Sequence, residues 1–325
     1  MMYRTNNIRI KGISAFTPKE YIDSISDETD KKTQKLFKMT GINRRHSLNI
    51  SHYKLVDLSI MAATDAIEKS GSHKEDIKAI VYVTQNPEFF APSTAFYVQK
   101  ELSLGRDCLV FDVNLGCSGF IAGLQILSSI FLGLKDGDLG LLINAEYLSR
   151  VKRENENDEF LFGDAATATI LERNDTLAQT MMIDYFSDGN RYKAIFHEDK
   201  NLKCIMDGQA VFEFSVYEVS RYVRDFLKNN KLEDSDIDHI AFHQAQKFII
   251  DHMATNAKLS KEKMLYSLDE YANTSGASVP LSICRNQDKL KEFGEYLLCG
   301  FGVGLAWGIV YLKIEKKAVF GIHEV

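Results

Sequence analysis

Residues 76–85 read DIKAIVYVTQ, and residues 236–245 read DIDHIAFHQA. Each opens on Asp-Ile, runs through a short apolar stretch and ends on polar residues that include Gln. Each also follows a helix-like stretch, residues 54–69 before the first and 216–229 before the second. In the second, Val216, Val219, Tyr222, Val223, Phe226 and Leu227 fall on one face at helical spacing. Two further pairs occur in the same order. Residues 112–117 (DVNLGC) match 271–276 (YANTSG), each with Asn before a Gly/Ser-rich turn and a helix-like run. Residues 162–172 (FGDAATATILE) match 301–312 (FGVGLAWGIVYL), whose small residues suit a tightly packed buried strand. Three pairs in one order predict two similar α/β halves, 1–172 and 173–325, with strands and helices alternating.

Composition is consistent with that reading. A chain of 325 residues with 45% hydrophobic and 26% charged residues is an ordinary globular protein of about two domains. It has only four prolines and no low-complexity linker, so the halves are expected to pack as one body. An active site is then expected where they meet, fed by equivalent turns. A formal charge of −6 argues against non-specific nucleic-acid binding. The five cysteines (Cys108, Cys117, Cys204, Cys284 and Cys299) are scattered and never spaced CxxC, so neither a disulfide framework nor a metal site is expected. With no signal-peptide pattern at the start, the expected location is cytoplasmic. Residues 113–134 carry no charge, yet contain Asn114, Gln125, several Ser and four Gly. We read them as a strand, a turn and a fully buried helix, not as a membrane span.

Three residues stand where chemistry is expected. Cys117 follows a strand-like run and opens the uncharged helix. Unpaired N–H groups and the helix dipole there favour thiolate, the nucleophilic form. The bland alternative is a small buried apolar residue. His243 ends a β-like run, where a side chain faces a crevice in α/β proteins, although a structural His is the competing reading. Asn273, followed by Thr, Ser and Gly, is first a turn or cap signal, raised in interest by its equivalence to the Cys117 turn. His239 and His252 are expected to be solvated.

Together, Cys117 in DVNLGCSGF, His243 in FHQAQ and Asn273 in NTSGASVP resemble the Cys–His–Asn triad of the β-ketoacyl-acyl-carrier-protein synthase III family. TGINRRH at 40–46, FGDAATATIL at 162–171, MDGQAVFEF at 206–214 and FGVGLAWG at 301–308 are similar to that family too, so the likeness spans essentially the whole chain. It implies the thiolase fold, two pseudo-symmetric α/β halves in an αβαβα body, and a homodimer. By the same resemblance Phe90 in EFFAP reaches the partner's pocket. The implied chemistry is decarboxylating condensation. Cys117 holds an acyl group, backbone N–H groups of Cys117 and Val303 form an oxyanion hole, and His243 and Asn273 stabilise the enolate of a malonyl thioester. Acyl carrier protein is the implied partner, and no metal or other cofactor is required. Acyl transfer to an oxygen or nitrogen nucleophile is the runner-up, and a non-catalytic partner subunit the third reading.

The entrance departs from the family. Lys35 and Met39 stand where a Trp and an Arg usually clamp the adenine of coenzyme A, with Lys38 nearby. Phe248 takes the place of a basic residue, with Lys247 beside it, and Val303 replaces the middle of a Gly triplet. These changes favour an acyl donor carried on protein over coenzyme A. Basic residues at Lys31, Lys32, Lys35 and Lys38, at Arg44 and Arg45, at Arg150, Lys152 and Arg153, and at Lys258, Lys261 and Lys263 are expected to form an exposed docking surface for an acidic carrier.

Overall fold

The computed structural model describes residues 2–24, 31–154, 156–177, 180–198 and 203–325. The side chains of Lys31 and Lys32 lie outside the described residues.

Two sheets organise the chain. One has the order Val319–Glu324, Ile8–Thr17, Ala165–Arg173, Leu139–Glu146, Ile77–Val83, Leu109–Val113. The other runs Met2–Asn6, Thr180–Ser187, Ala306–Glu315, Phe293–Gly302, His239–Phe242. Four consecutive strands of each correspond in order. Ile77–Val83 pairs parallel with Leu139–Glu146, which pairs antiparallel with Ala165–Arg173. His239–Phe242 likewise pairs parallel with Phe293–Gly302, which pairs antiparallel with Ala306–Glu315. The repeated sequence pairs therefore occupy equivalent strands. The match weakens at one edge, where a single parallel bridge between Ile240 and Met264 stands in for the strand Leu109–Val113. Each sheet also takes its outermost strand from the far end of the chain, Met2–Asn6 beside Thr180–Ser187 and Val319–Glu324 beside Ile8–Thr17.

Two helices, Gly119–Ile130 and Ser278–Arg285, lie between the sheets and touch both. Each follows one of the paired Gly/Ser turns. A helix enclosed on every side must be apolar all round, and Phe120, Ile121, Leu124 and Leu127, like Val279, Leu281 and Ile283, are fully buried. Outside, Leu55–Lys69 covers the first sheet, while Ser220–Asn229 and Lys247–Ala257 cover the second. The result is a five-layer αβαβα body of the thiolase type. Residues 113–134 are the end of a strand, a turn, a buried helix of twelve residues and a short 3-10 turn. Among the described residues, no helix is long and apolar enough to cross a membrane.

His239 corrects one expectation. It is buried, and its Nε2 accepts a hydrogen bond from the Lys291 N–H at 3.0 Å. The basic surface needs two corrections as well. Arg45 and Arg153 are buried, at 8% and 6% exposure, each with its guanidinium against a phenylalanine ring. Lys35, Lys38, Arg150, Lys152, Lys258 and Lys261 are exposed as expected.

Candidate active site

The two central helices begin at the same place between the sheets, so the turns that precede them converge. Cys117 sits in the first turn, just before the helix that starts at Gly119. Asn273 and Ser275 sit in the second, and His243 follows the strand His239–Phe242, its N–H held by the Cys299 carbonyl at 2.7 Å. All of them line one cavity of about 420 Å³.

Ser275 joins the three. Its hydroxyl donates to Cys117 Sγ at 3.7 Å. Its N–H donates to Asn273 Oδ1 at 2.9 Å, which commits that oxygen and leaves Nδ2 as the Asn273 donor. Its carbonyl accepts from the Ser278 hydroxyl at 2.7 Å, and Ser278 Oγ lies 2.8 Å from His243 Nδ1. Ser275 adopts φ 49°, an unusual value for a residue with a side chain, and the Asn273 hydrogen bond holds it there. From sequence this serine read only as part of a turn. The signal that finds it is Asn-x-Ser at the equivalent of the Cys117 turn.

The last loop completes the wall. Gly302 has φ 152°, and a Cβ there would stand 2.7 Å from Cys117 Cβ and 2.9 Å from Sγ. Only glycine lets this strand end pass the thiol. The next residue, Val303, directs its backbone N–H at Cys117, so the β-branched substitution keeps the donor in place.

The electrostatics correct the thiolate expectation. Burial pushes the Cys117 thiol above its ordinary pKa; hydrogen bonds from Ser275 and the Val303 N–H oppose this without overcoming it. The helix-start argument considers only local dipoles, whereas the enclosing sheets remove water from the thiol. Burial also lowers His243 to about 4, so its imidazole is neutral near pH 7. Glu146 ends the strand Leu139–Glu146 fully buried beside this cluster, accepting from Asn86 Nδ2 at 2.9 Å. Burial raises its carboxyl to about 8, so it is largely protonated at neutral pH. Arg153 and Cys204 line the same cavity. From sequence Arg153 reads as part of an exposed basic surface and Cys204 as one of five scattered cysteines.

The remaining sequence-predicted residues lie outside the cavity wall. Lys35, Lys38 and Met39 are exposed on the helix Lys31–Thr40. Lys247 packs over Gly41 and pairs with Asp251 at 2.8 Å, next to the cavity-lining Gln246. Phe90 is 90% exposed, and Phe89 38%. Among the described residues no cluster of His, Cys, Asp or Glu could hold a metal ion.

Comparison with known proteins gives this arrangement its relatives. Residues 111–189 match the model for 3-oxoacyl-[acyl-carrier-protein (ACP)] synthase III, and residues 227–314 match its C-terminal part. The chain belongs to the 3-oxoacyl-[acyl-carrier-protein] synthase III family. The β-ketoacyl-[acyl-carrier-protein] synthase III of Clostridium perfringens is 30% identical across 95% of this chain and 99% of its own length. That of Ehrlichia canis is 31% identical across 94% and 98%. A solved 3-oxoacyl-(acyl-carrier protein) synthase from Burkholderia xenovorans superposes with a TM-score of 0.93 at 27% identity, covering 100% of this chain and 99% of that one. The synthase III of Pseudomonas aeruginosa superposes at 0.85 and 28%, covering 95% and 98%. As a synthase III family member, the chain is an acyl-transferring enzyme of the decarboxylating condensing type.

Proposed function

We propose that Cys117, His243 and Asn273 carry out a two-stage condensation in this cavity. In the first stage Cys117 Sγ bonds to the carbonyl carbon of an acyl thioester. The carbon–sulfur bond to the donor breaks, and the departing thiol takes the proton that Cys117 gives up. The N–H groups of Cys117 and Val303 hold the tetrahedral oxyanion. In the second stage a malonyl thioester binds with its thioester oxygen toward Asn273 Nδ2 and the His243 ring. Its carbon–carboxylate bond breaks, carbon dioxide leaves and the electron pair stays on the α-carbon as an enolate. That carbon attacks the acyl group and expels the Cys117 thiolate. A neutral His243 suits this role once the Ser278 hydroxyl turns its proton from the Ser275 carbonyl to Nδ1, which leaves the ring proton on Nε2 for the thioester oxygen without a change of charge. The chemistry calls on no metal or redox cofactor.

The observation that carries this reading is Ser275, one residue bonded toward Cys117, Asn273 and the His243–Ser278 pair at once. Acyl carrier protein is the proposed thioester carrier, docking on the exposed lysines near the Lys31–Thr40 and Lys247–Ala257 helices. The proposed setting is the cytoplasm. A homodimer is proposed because Leu109–Val113 is an edge strand with Leu109 54% exposed, and because Phe90 and Phe96 are exposed as well. The expected role of Phe90 is to reach the partner's cavity. Light scattering at micromolar concentration is expected to give twice the chain mass, and a monomer refutes the dimer.

Intact mass and released carbon dioxide test the reaction itself. With an acyl donor alone, the wild type gains the acyl mass at Cys117, and Cys117→Ser gains none. Adding malonyl-carrier protein discharges the adduct with release of carbon dioxide. Discharge to an amine or alcohol without carbon dioxide would identify simple acyl transfer instead.

A further inference from the structure

Arg153 has no part in the condensation described above, yet it stands in the cavity that performs it. It is 6% exposed, and its Nε has no hydrogen-bond partner among the described residues. A backbone bridge to Cys204 anchors it, and its guanidinium lies 3.5 Å from the centre of the Phe162 ring. Leu148, Val151 and Leu161 give the same cavity an apolar lining. Cys204 accepts a hydrogen bond from the guanidinium, and Asp158 and Glu159 are among the charges that act on it, yet the buried Nε stays without a partner, which is unfavourable and gives a plain alkyl chain nothing. A planar guanidinium seated on an aromatic face can turn such an unengaged N–H to a carboxylate.

The position selects between the two substrates. Arg153 lines the cavity with Cys117 and is the side-chain charge that acts on that thiol. A cation on the malonyl carboxylate would also hold the charge that decarboxylation has to lose. The acyl group on Cys117 keeps whatever it carries throughout the reaction. We propose that Arg153 makes this enzyme selective for acyl groups that end in a carboxylate, which its guanidinium receives beside Cys117. The inference rests on Cys117 as the acyl carrier.

Pantetheine thioesters test it without involving either natural carrier. Succinyl, glutaryl and adipyl donors are compared with butyryl, pentanoyl and hexanoyl, reading acylation of Cys117 by intact mass over time. The wild type is expected to load at least one dicarboxylic member on the order of 10- to 100-fold faster than its neutral match, the size of a charge-assisted hydrogen bond. Arg153→Met is expected to lose that preference while still loading the neutral chains, and Arg153→Lys to recover part of it. Arg153→Met that keeps the dicarboxylic preference overturns the assignment. So does a wild type that loads only neutral chains, which needs no variant to fold and leaves the condensing reading intact. A wild type acylated by none of the six overturns both.

Discussion

Replacing His243 separates its proton chemistry from its place in the fold. The ring is 2% exposed, and burial lowers its pKa from 6.5 to about 4. In the unfolded chain it takes up a proton below pH 6.5; in the folded protein it refuses one until about pH 4. Acid therefore favours the unfolded chain. The gap is about 2.5 units, each worth about 1.4 kcal/mol, so roughly 3 kcal/mol of stability is lost between pH 6.5 and pH 4. His243→Gln has nothing to titrate and is expected to lose that much less over the same range, by urea unfolding at pH 7 and pH 4. The catalytic half of the expectation uses His243→Ala. It should still be acylated at Cys117, while carbon dioxide release from malonyl thioester falls by about a hundred- to a thousand-fold. Wild-type release between pH 5 and pH 8 should show no step from this imidazole. A step near pH 6.5 that disappears in His243→Gln, or the same acid sensitivity in both proteins, refutes the reasoning.

Cys117 has a thiol pKa above its usual range, so its acylation rate is expected to climb with pH from 6 to 8.5 without a plateau, measured by intact mass at each pH. Gly302→Ala puts a methyl group against the Cys117 side chain and is expected to slow acylation by on the order of 100-fold in a protein that remains folded by circular dichroism. Glu146 keeps its proton up to about pH 8 when folded and loses it near 4.5 when unfolded, so stability falls as pH rises between those values. Urea unfolding is expected to show about 3 kcal/mol of that fall between pH 6 and pH 9 in the wild type and none of it in Glu146→Gln. With the same acyl group on both carriers, loading from acyl carrier protein is expected to exceed loading from coenzyme A and to weaken more steeply with salt, as the Debye length shrinks from about 10 Å at 0.1 M to about 3 Å at 1 M. Faster loading from coenzyme A would show that other residues rebuild the nucleotide site.

Much of the frame could be read in the chain because it depends on local order. Apolar runs bounded by turn residues marked Ile77–Val83 and His239–Phe242 as counterparts, and the Gly/Ser turns marked the starts of the two central helices. The likeness of the motifs to a known family supplied the layering. What could not be read depends on what stands opposite. Arg150 and Lys152 are exposed and Arg153 between Lys152 and Glu154 is buried, because that residue is bridged to Cys204, far along the chain. Glu146 draws no attention in the sequence, and Gln85, Asn86 and the turn at Ser275 close it in. The strength of a thiolate likewise depends on enclosure more than on its own helix.

The crossed outer strands bear on how the protein is made. Ile8–Thr17 has Val319–Glu324 along one side, and the chain end is fastened there by Val325 N–H to the Thr17 carbonyl and Lys19 N–H to the Val325 carbonyl. While a ribosome is still synthesising the second half, the first sheet has an open border that only residues 319–324 can close. Met2–Asn6 must in turn wait for Thr180–Ser187 to emerge. Neither half is a finished module when released alone, and a nascent chain would carry an unpaired border until residues 319–324 emerge.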